Sequence, residues 1–431
     1  MGDTKAGAYG LAACGLANLG RETWHPDEGL LAARAAAEGD PGLPLTGDDR
    51  FVVQSQATGD RIAWSEHNRP FSPTTASLLW RRAQAALQGR DVFVVEGFSG
   101  LDEDERTAVR VVAQRAVDAR HAAGFLRAAS GDERVAFLPD LTVVVASGMR
   151  ASPEIDGTAS HRFCILDPDR SLVLIGGPSA PAEISDAVAQ AVGLRRSREG
   201  VVALLAAACE RASGTALFAG LSGTGRTTLA GGLGDISADG AVLWTGSGIE
   251  PLGPGRVAGH PAHVAIVVAD ATGTLPALAR LTVEQAALWF ALGYAGVRDG
   301  VASGETAEAG MAFSPCCGAR HHAVEAAVVV DRFLAKLRRH APVCWLVDTG
   351  WPGGGAARRS PSASVALLAD AFAGRLANGR HDPVFGFEVP EGVAAGSTPG
   401  AGLARRVVDA AARIRGLGND VRGALPDLGA A

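Results

Sequence analysis

Hydrophobic positions along the chain fall into short apolar runs separated by longer segments with helical spacing. In the first half, Phe51-Val52-Val53, Val92-Phe93-Val94-Val95, residues 141–145 and residues 171–175 read as strands, the last stopped by Gly176-Gly177. Val109, Val112, Ala116 and Ala119 recur at helical spacing, which predicts a helix over 104–127. The alanine-rich stretch 185–210 is predicted helical as well. In the second half, residues 216–219, 264–268 and 344–347 read as strands, 283–292 and 323–339 as helices. The tail from Gly400 is helical and amphipathic up to Leu417. Residues 296–311 lack apolar periodicity and read as a loop, and 353–357 is a second loose stretch of Gly and Ala. Strands alternating with helices predict an α/β protein.

A chain of 431 residues with 47% hydrophobic content has room for two or three domains and a large core. Only 5% is aromatic, so that core packs through small side chains. The net charge of −6, with Lys and Arg scattered, gives no footprint for nucleic acid or an acidic membrane surface. The six cysteines form no C-x-x-C pair and read as small buried residues of a reducing compartment. Met1-Gly2-Asp3-Thr4-Lys5 is polar, and no apolar run approaches a membrane span, so the expected location is cytoplasmic.

The candidate chemistry centres on Gly220-Leu221-Ser222-Gly223-Thr224-Gly225-Arg226-Thr227-Thr228. Glycine, four residues, glycine, lysine, then Ser or Thr is the pattern of a phosphate-binding P-loop. Every position fits except the lysine, which is Arg226. An apolar run precedes the loop and helix-compatible residues follow, the strand–loop–helix context such a loop needs. Glycines let successive N–H groups converge on one concavity at the positive end of the next helix. Thr227 is placed to ligate Mg²⁺. Arg226 keeps the charge of a lysine in a longer, planar, forked side chain. A glycine-rich turn without a ligand is the alternative reading.

Several strings together resemble the ATP-dependent phosphoenolpyruvate carboxykinase family. They are the 220–228 loop, Ala269-Asp270-Ala271-Thr272-Gly273-Thr274-Leu275-Pro276 with Ala279-Arg280-Leu281-Thr282, and Asp348-Thr349-Gly350-Trp351. Trp64-Ser65-Glu66-His67-Asn68-Arg69-Pro70-Phe71-Ser72-Pro73, Phe93-Val94-Val95-Glu96 and Leu174-Ile175-Gly176-Gly177 follow in family order. The resemblance runs from about Trp24 to about Pro390. It implies a two-domain α/β carboxykinase-like fold. Residues 1–195 would form a substrate-type domain and 196–431 a P-loop nucleotide domain, with a lid over about 296–311. It also implies ATP, Mg²⁺ and Mn²⁺ as cofactors, and conversion of oxaloacetate and ATP to phosphoenolpyruvate, CO₂ and ADP.

The chain departs from that family where the chemistry lies. The family's carboxylate-binding arginine falls on Leu45 or Asp48, and its tyrosine and metal-ligating lysine fall on Ala180 and Asp186. Residues 202–209, where the family places a metal-binding histidine, hold none. Asp239 stands where two aspartates are expected, as a Mg²⁺-linked residue or a plain turn aspartate. Arg358 or Arg359 falls where the family has a nucleotide-contacting arginine, Arg358 being the better match, with a surface arginine as the competing reading. Asp186 is either a cation ligand or a solvated helix-end charge. The resemblance therefore implies a divergent ATP-binding member with repurposed phosphotransfer and impaired decarboxylation. A non-catalytic relative and a genuine carboxykinase are the alternatives. The partners are a nucleotide and either a small carboxylate or another phosphoryl acceptor, and the oligomeric state is left open.

Overall fold

The computed structural model describes residues 10–429, apart from 41, 57, 60–61, 66–67, 104, 198–199, 297–310, 319–321, 354–355 and 398. Most of the 296–311 loop read as a lid thus lies outside the described residues. The chain divides into two compact units, 1–195 with 252–254, and 196–251 with 255–431.

The N-terminal unit is built on a nine-stranded mixed sheet. Its order runs Glu22–Trp24, Val92–Ser99, Thr107–Ala113, Leu141–Ala146, Leu172–Gly176, Phe163–Asp167, Arg50–Val53 and Arg69–Phe71, with Arg127–Ala128 paired to Val92–Ser99. The helix predicted over 104–127 is a strand followed by a helix. Thr107–Ala113 is buried at every position and pairs with two neighbours, and only Ala116–Phe125 is helical. Its valines fit a sheet buried on both faces better than a helix surface.

The C-terminal unit has its own nine-stranded sheet. The order is Ile249–Pro251, Asp235–Trp244, Val202–Glu210, Thr215–Gly220, Pro261–Val268, Val343–Asp348, Leu278–Leu281, Glu388–Val389 and Arg380–His381. The predicted helix over 185–210 ends early: Ala182–Arg196 is helical, and Val202–Glu210 is a central strand. Its alanines sit between two antiparallel partners, so the sheet overrides alanine's helical preference. Ala206 and Ala208 pack into the core with Trp244, Phe290 and Phe333. Ala207 and Cys209 pack on the other face with Leu229 and Phe372. The helix Val283–Leu292 is apolar all round and wholly buried after its first turn, as such a composition requires. Cys14 is half-buried and the other five cysteines are buried, none in a disulfide. Burial pushes the thiols of Cys164, Cys317 and Cys344 up to about 12.

Candidate functional site

Three strands of the C-terminal sheet, Thr215–Gly220, Pro261–Val268 and Val343–Asp348, run parallel. Their carboxyl ends bring the segments after Gly220, Val268 and Asp348 to one edge, where open α/β sheets place ligands. A Cβ on Gly220 would drive into the Val267 carbonyl, so glycine is needed for the strands to stay close. Gly223 and Gly225 have φ of 85° and 90°, the left-handed region that only glycine enters freely. Gly225 then caps the helix Arg226–Leu233. The Thr349 hydroxyl donates to the Thr224 carbonyl at 2.7 Å and ties the loop to the neighbouring strand end.

The loop walls a cavity of about 650 Å³, lined by residues 222–229 and by Thr349, Arg358, Arg359, Ser360 and Pro361. The last two open the helix Pro361–Phe372, whose Ser360 side chain accepts from the Ala363 N–H at 3.2 Å. Two helix N-termini and three arginines thus line one cavity, an arrangement that favours a polyanion. The Thr227 hydroxyl donates to Asp239 Oδ1 at 3.0 Å, and both side chains are exposed. Asp239 lies within the strand Asp235–Trp244, opposite Ala207, rather than in a turn. A hydroxyl and a carboxylate side by side fit one hard divalent cation beside a phosphate.

The arginines behave differently from one another. Arg226 Nη1 donates to the carbonyls of Gly220 at 2.7 Å and Leu205 at 3.2 Å, so its head is turned onto strand ends. Burial lowers its pKa and Asp239 opposes that shift. Arg358 Nε donates to Thr349 O at 2.9 Å and its Nη2 to Gly223 O at 2.8 Å, clamping the loop. Arg359 Nε reaches Asp348 Oδ2 at 3.2 Å. Asp348 Oδ1 in turn accepts the N–H groups of Asp270 and Gly350, both at 2.8 Å. Burial is the main force raising the Asp348 carboxyl, to about 7. Asp270 is itself held by Tyr294 and by the Thr272, Thr274 and Leu275 amides.

A family model described as phosphoenolpyruvate carboxykinase matches residues 45–252 and 242–397. The chain belongs to the ATP-dependent phosphoenolpyruvate carboxykinase family. Its similarity to the phosphoenolpyruvate carboxykinase (ATP) of Thermus thermophilus is 33% identity over 84% of this chain and 83% of that protein. Phosphoenolpyruvate carboxykinase (ATP) 2 of Moorella thermoacetica is 31% identical over 90% and 89%. The Geobacter sp. phosphoenolpyruvate carboxykinase (ATP) is 30% identical over 80% and 78%. The mixed α/β architecture is that of a two-domain carboxykinase.

Within the N-terminal unit, the positions at which departures from the family were expected make interactions of their own. The Leu45 N–H donates to Glu183 Oε1 at 2.9 Å. Asp48 pairs with Arg69 at 3.2 Å on the surface. The Ala180 N–H donates to Leu43 O at 3.0 Å. Arg50 is buried against Glu183 and reaches Asp186 at 3.5 Å. Desolvation pulls the Arg50 pKa down, but Glu183, Asp186 and Asp49 push it above its ordinary value. Asp186 is therefore the partner of a buried arginine, not a solvated helix-end charge. Residues 202–209 form a strand with only apolar side chains, and no cluster of three His, Cys, Asp or Glu that could hold a metal occurs among the described residues.

The sequence reading offered Arg359 only as the weaker match beside Arg358, and missed Ser360 and the fixed Asp348 as parts of the site. Ser360-Pro361 is a helix-start signal that could have placed a second N-terminus beside the loop. The Arg359–Asp348 pair spans eleven residues across an irregular segment, which no spacing rule reveals.

Proposed function

We propose that this carboxykinase relative binds ATP at the 220–228 loop and transfers its terminal phosphoryl group to an acceptor other than oxaloacetate. The observation that carries the reading is the Thr227–Asp239 contact of 3.0 Å beside a glycine loop that opens on a cationic cavity. Loop N–H groups and the two helix N-termini hold the phosphates, and Thr227 with Asp239 hold Mg²⁺. When bound, Mg²⁺ neutralises charge on the phosphate oxygens. The relatives' name, phosphoenolpyruvate carboxykinase (ATP), supports ATP as the nucleotide. A second, Mn²⁺-type site of the family finds no matching ligands here, since Asp186 is engaged by Arg50 and position 202–209 is apolar.

Impaired decarboxylation follows from the oxaloacetate side. That chemistry needs a held carboxylate and a cation to stabilise the enolate. Leu45 and Asp48 offer no positive charge, and Arg50 is spent on Glu183 and Asp186. The acceptor is then a small carboxylate of different shape or another hydroxyl or acid. A cytoplasmic location belongs to the same proposal; among the described residues, no helix is long and apolar enough to cross a membrane.

One observation favours a non-catalytic role instead. Arg226 donates to Gly220 and Leu205 carbonyls, so the loop's own cation is drawn away from a terminal phosphate. Calorimetric titration with ATP, with and without Mg²⁺, separates the readings from an empty loop. Tighter binding with Mg²⁺ supports phosphotransfer. No heat at millimolar ATP would sink nucleotide binding altogether. A coupled assay for oxaloacetate-dependent phosphoenolpyruvate formation is expected to give a rate far below that of the Thermus relative, and a comparable rate would overturn the proposed impairment.

A further inference from the structure

Away from the loop, two histidines of the C-terminal unit stack, their ring centroids 3.6 Å apart and their planes at 24°. His260 precedes the strand Pro261–Val268, and His340 ends the helix Ala326–His340. The hydrogen bonds of His260 admit one protonation state. The Trp244 indole N–H, which can only donate, meets its Nδ1 at 3.2 Å, so Nδ1 presents a lone pair. Its Nε2 lies 3.0 Å from the Gly246 carbonyl and therefore carries the proton. His340 stacks on this neutral ring, and its Nε2 is buried with no hydrogen-bond partner among the described residues. The pair thus joins the last residue of one helix to the Trp244 end of the strand Asp235–Trp244 and to the turn after it. Lys336, one turn back on the same helix, donates to the Thr245 carbonyl and holds that turn a second time. Trp244 itself is fully buried, edge-on to Phe333.

A proton on the pair meets opposition from each element around it. On His260 it must enter at Nδ1, where it sets two donors against each other and leaves a buried indole N–H without an acceptor. On His340 it places a charge 3.6 Å from a second imidazole. The charged groups acting on the two rings are Lys336 and Arg339, both basic; among the described residues no carboxylate acts on either. Burial is the main force holding both histidines below the ordinary histidine range, and the two cations add to it.

We propose that the stacked His260–His340 pair is a proton-sensitive clasp, fastening the helix Ala326–His340 to Trp244 and the turn after it at neutral pH and letting them part when the pair takes up a proton. In the unfastened state the protonated pair, Lys336 and Arg339 repel one another, and water supplies the hydrogen bonds that Trp244 and Gly246 lose. Because both histidines are neutral when fastened, the clasp is complete above the ordinary histidine range and is lost as pH falls below it.

The test is hydrogen–deuterium exchange of the full chain, read by mass spectrometry as protection relative to the unstructured rate at each pH. From about pH 7.5 to about pH 5, protection of residues 242–248 and 336–341 should fall roughly tenfold more than that of residues 264–268 in the neighbouring strand. His260→Asn offers Trp244 an acceptor that takes no proton, and His340→Phe keeps a stacking ring without charge. The double variant should lose the extra fall. An extra fall of the same size in the double variant, or none in the wild type, overturns the proposal. Nitrogen-15 shifts of the wild-type histidines need no variant, and so decide the matter even if the double variant fails to fold. They should show His260 neutral and protonated at Nε2 at about pH 7.5, and a proton on Nδ1 there overturns the proposal.

Discussion

At residue 226 the loop pattern asks for a compact ammonium and the chain supplies a fork. Sequence made the substitution visible but not its consequence, because the direction of a long side chain is set by acceptors far along the chain. Those acceptors are Gly220 O and Leu205 O. Arg226→Ala should therefore destabilise the C-terminal unit, by about 1–3 kcal/mol for carbonyls left without a donor, read from denaturant midpoints. Arg226→Lys should not restore oxaloacetate-dependent phosphoenolpyruvate formation, because Leu45, Asp48 and Asp186 stay unsuited to the carboxylate and metal; recovery of that activity would contradict the impairment proposed here. Asp239 is the opposite case. The family resemblance singled it out, with a turn aspartate as the alternative, and the structure sets it in a strand 3.0 Å from Thr227. Asp239→Asn should abolish most of the Mg²⁺-dependent gain in ATP affinity, roughly tenfold or about 1.4 kcal/mol, in paired titrations with and without Mg²⁺.

At the scale of elements, the strands leading into Gly220, Val268 and Asp348 and the helix Val283–Leu292 were readable from apolar runs, because burial on both faces leaves no polar alternation to confuse them. The strand Val202–Glu210 was not. Leu-Leu-Ala-Ala-Ala is helical by propensity, and only its pairing with residues 216–219 and 235–244 makes it extended. Small side chains are what that position needs, since Ala207 packs beneath the loop helix with Leu229 and Ala230. Ala207→Leu should overpack this layer and cost about 1–3 kcal/mol, with ATP affinity falling as the helix is displaced. A denaturation midpoint equal to that of the wild type would show that the layer has slack.

At the scale of the whole molecule, family membership was legible from strings kept in order along most of the chain, whereas side-chain contacts between distant positions were not. Glu183 with Arg50, and Arg359 with Asp348, are pairs separated by 133 and 11 positions that sequence spacing does not connect. The second pair also shapes the pH response. Burial raises the Asp348 carboxyl from 3.8 to about 7, so between those values the folded chain holds a proton the unfolded chain has lost. Its contribution to stability therefore declines as pH rises through that window and is level above it. Burial lowers His322 from 6.5 to about 4, so its contribution declines as pH falls from 6.5 towards 4. The two slopes oppose each other over most of the acid range, and the wild type conceals both. Relative to the wild type, Asp348→Asn should gain stability as pH climbs from about 4 to 7, while His322→Gln should lose its relative advantage over about 4 to 6.5. Urea midpoints across that range, followed through the buried Trp244 and Trp289, give the comparison. Parallel curves for Asp348→Asn and the wild type would mean that Asp348 is already ionised at pH 4 and that Arg359, not burial, governs it.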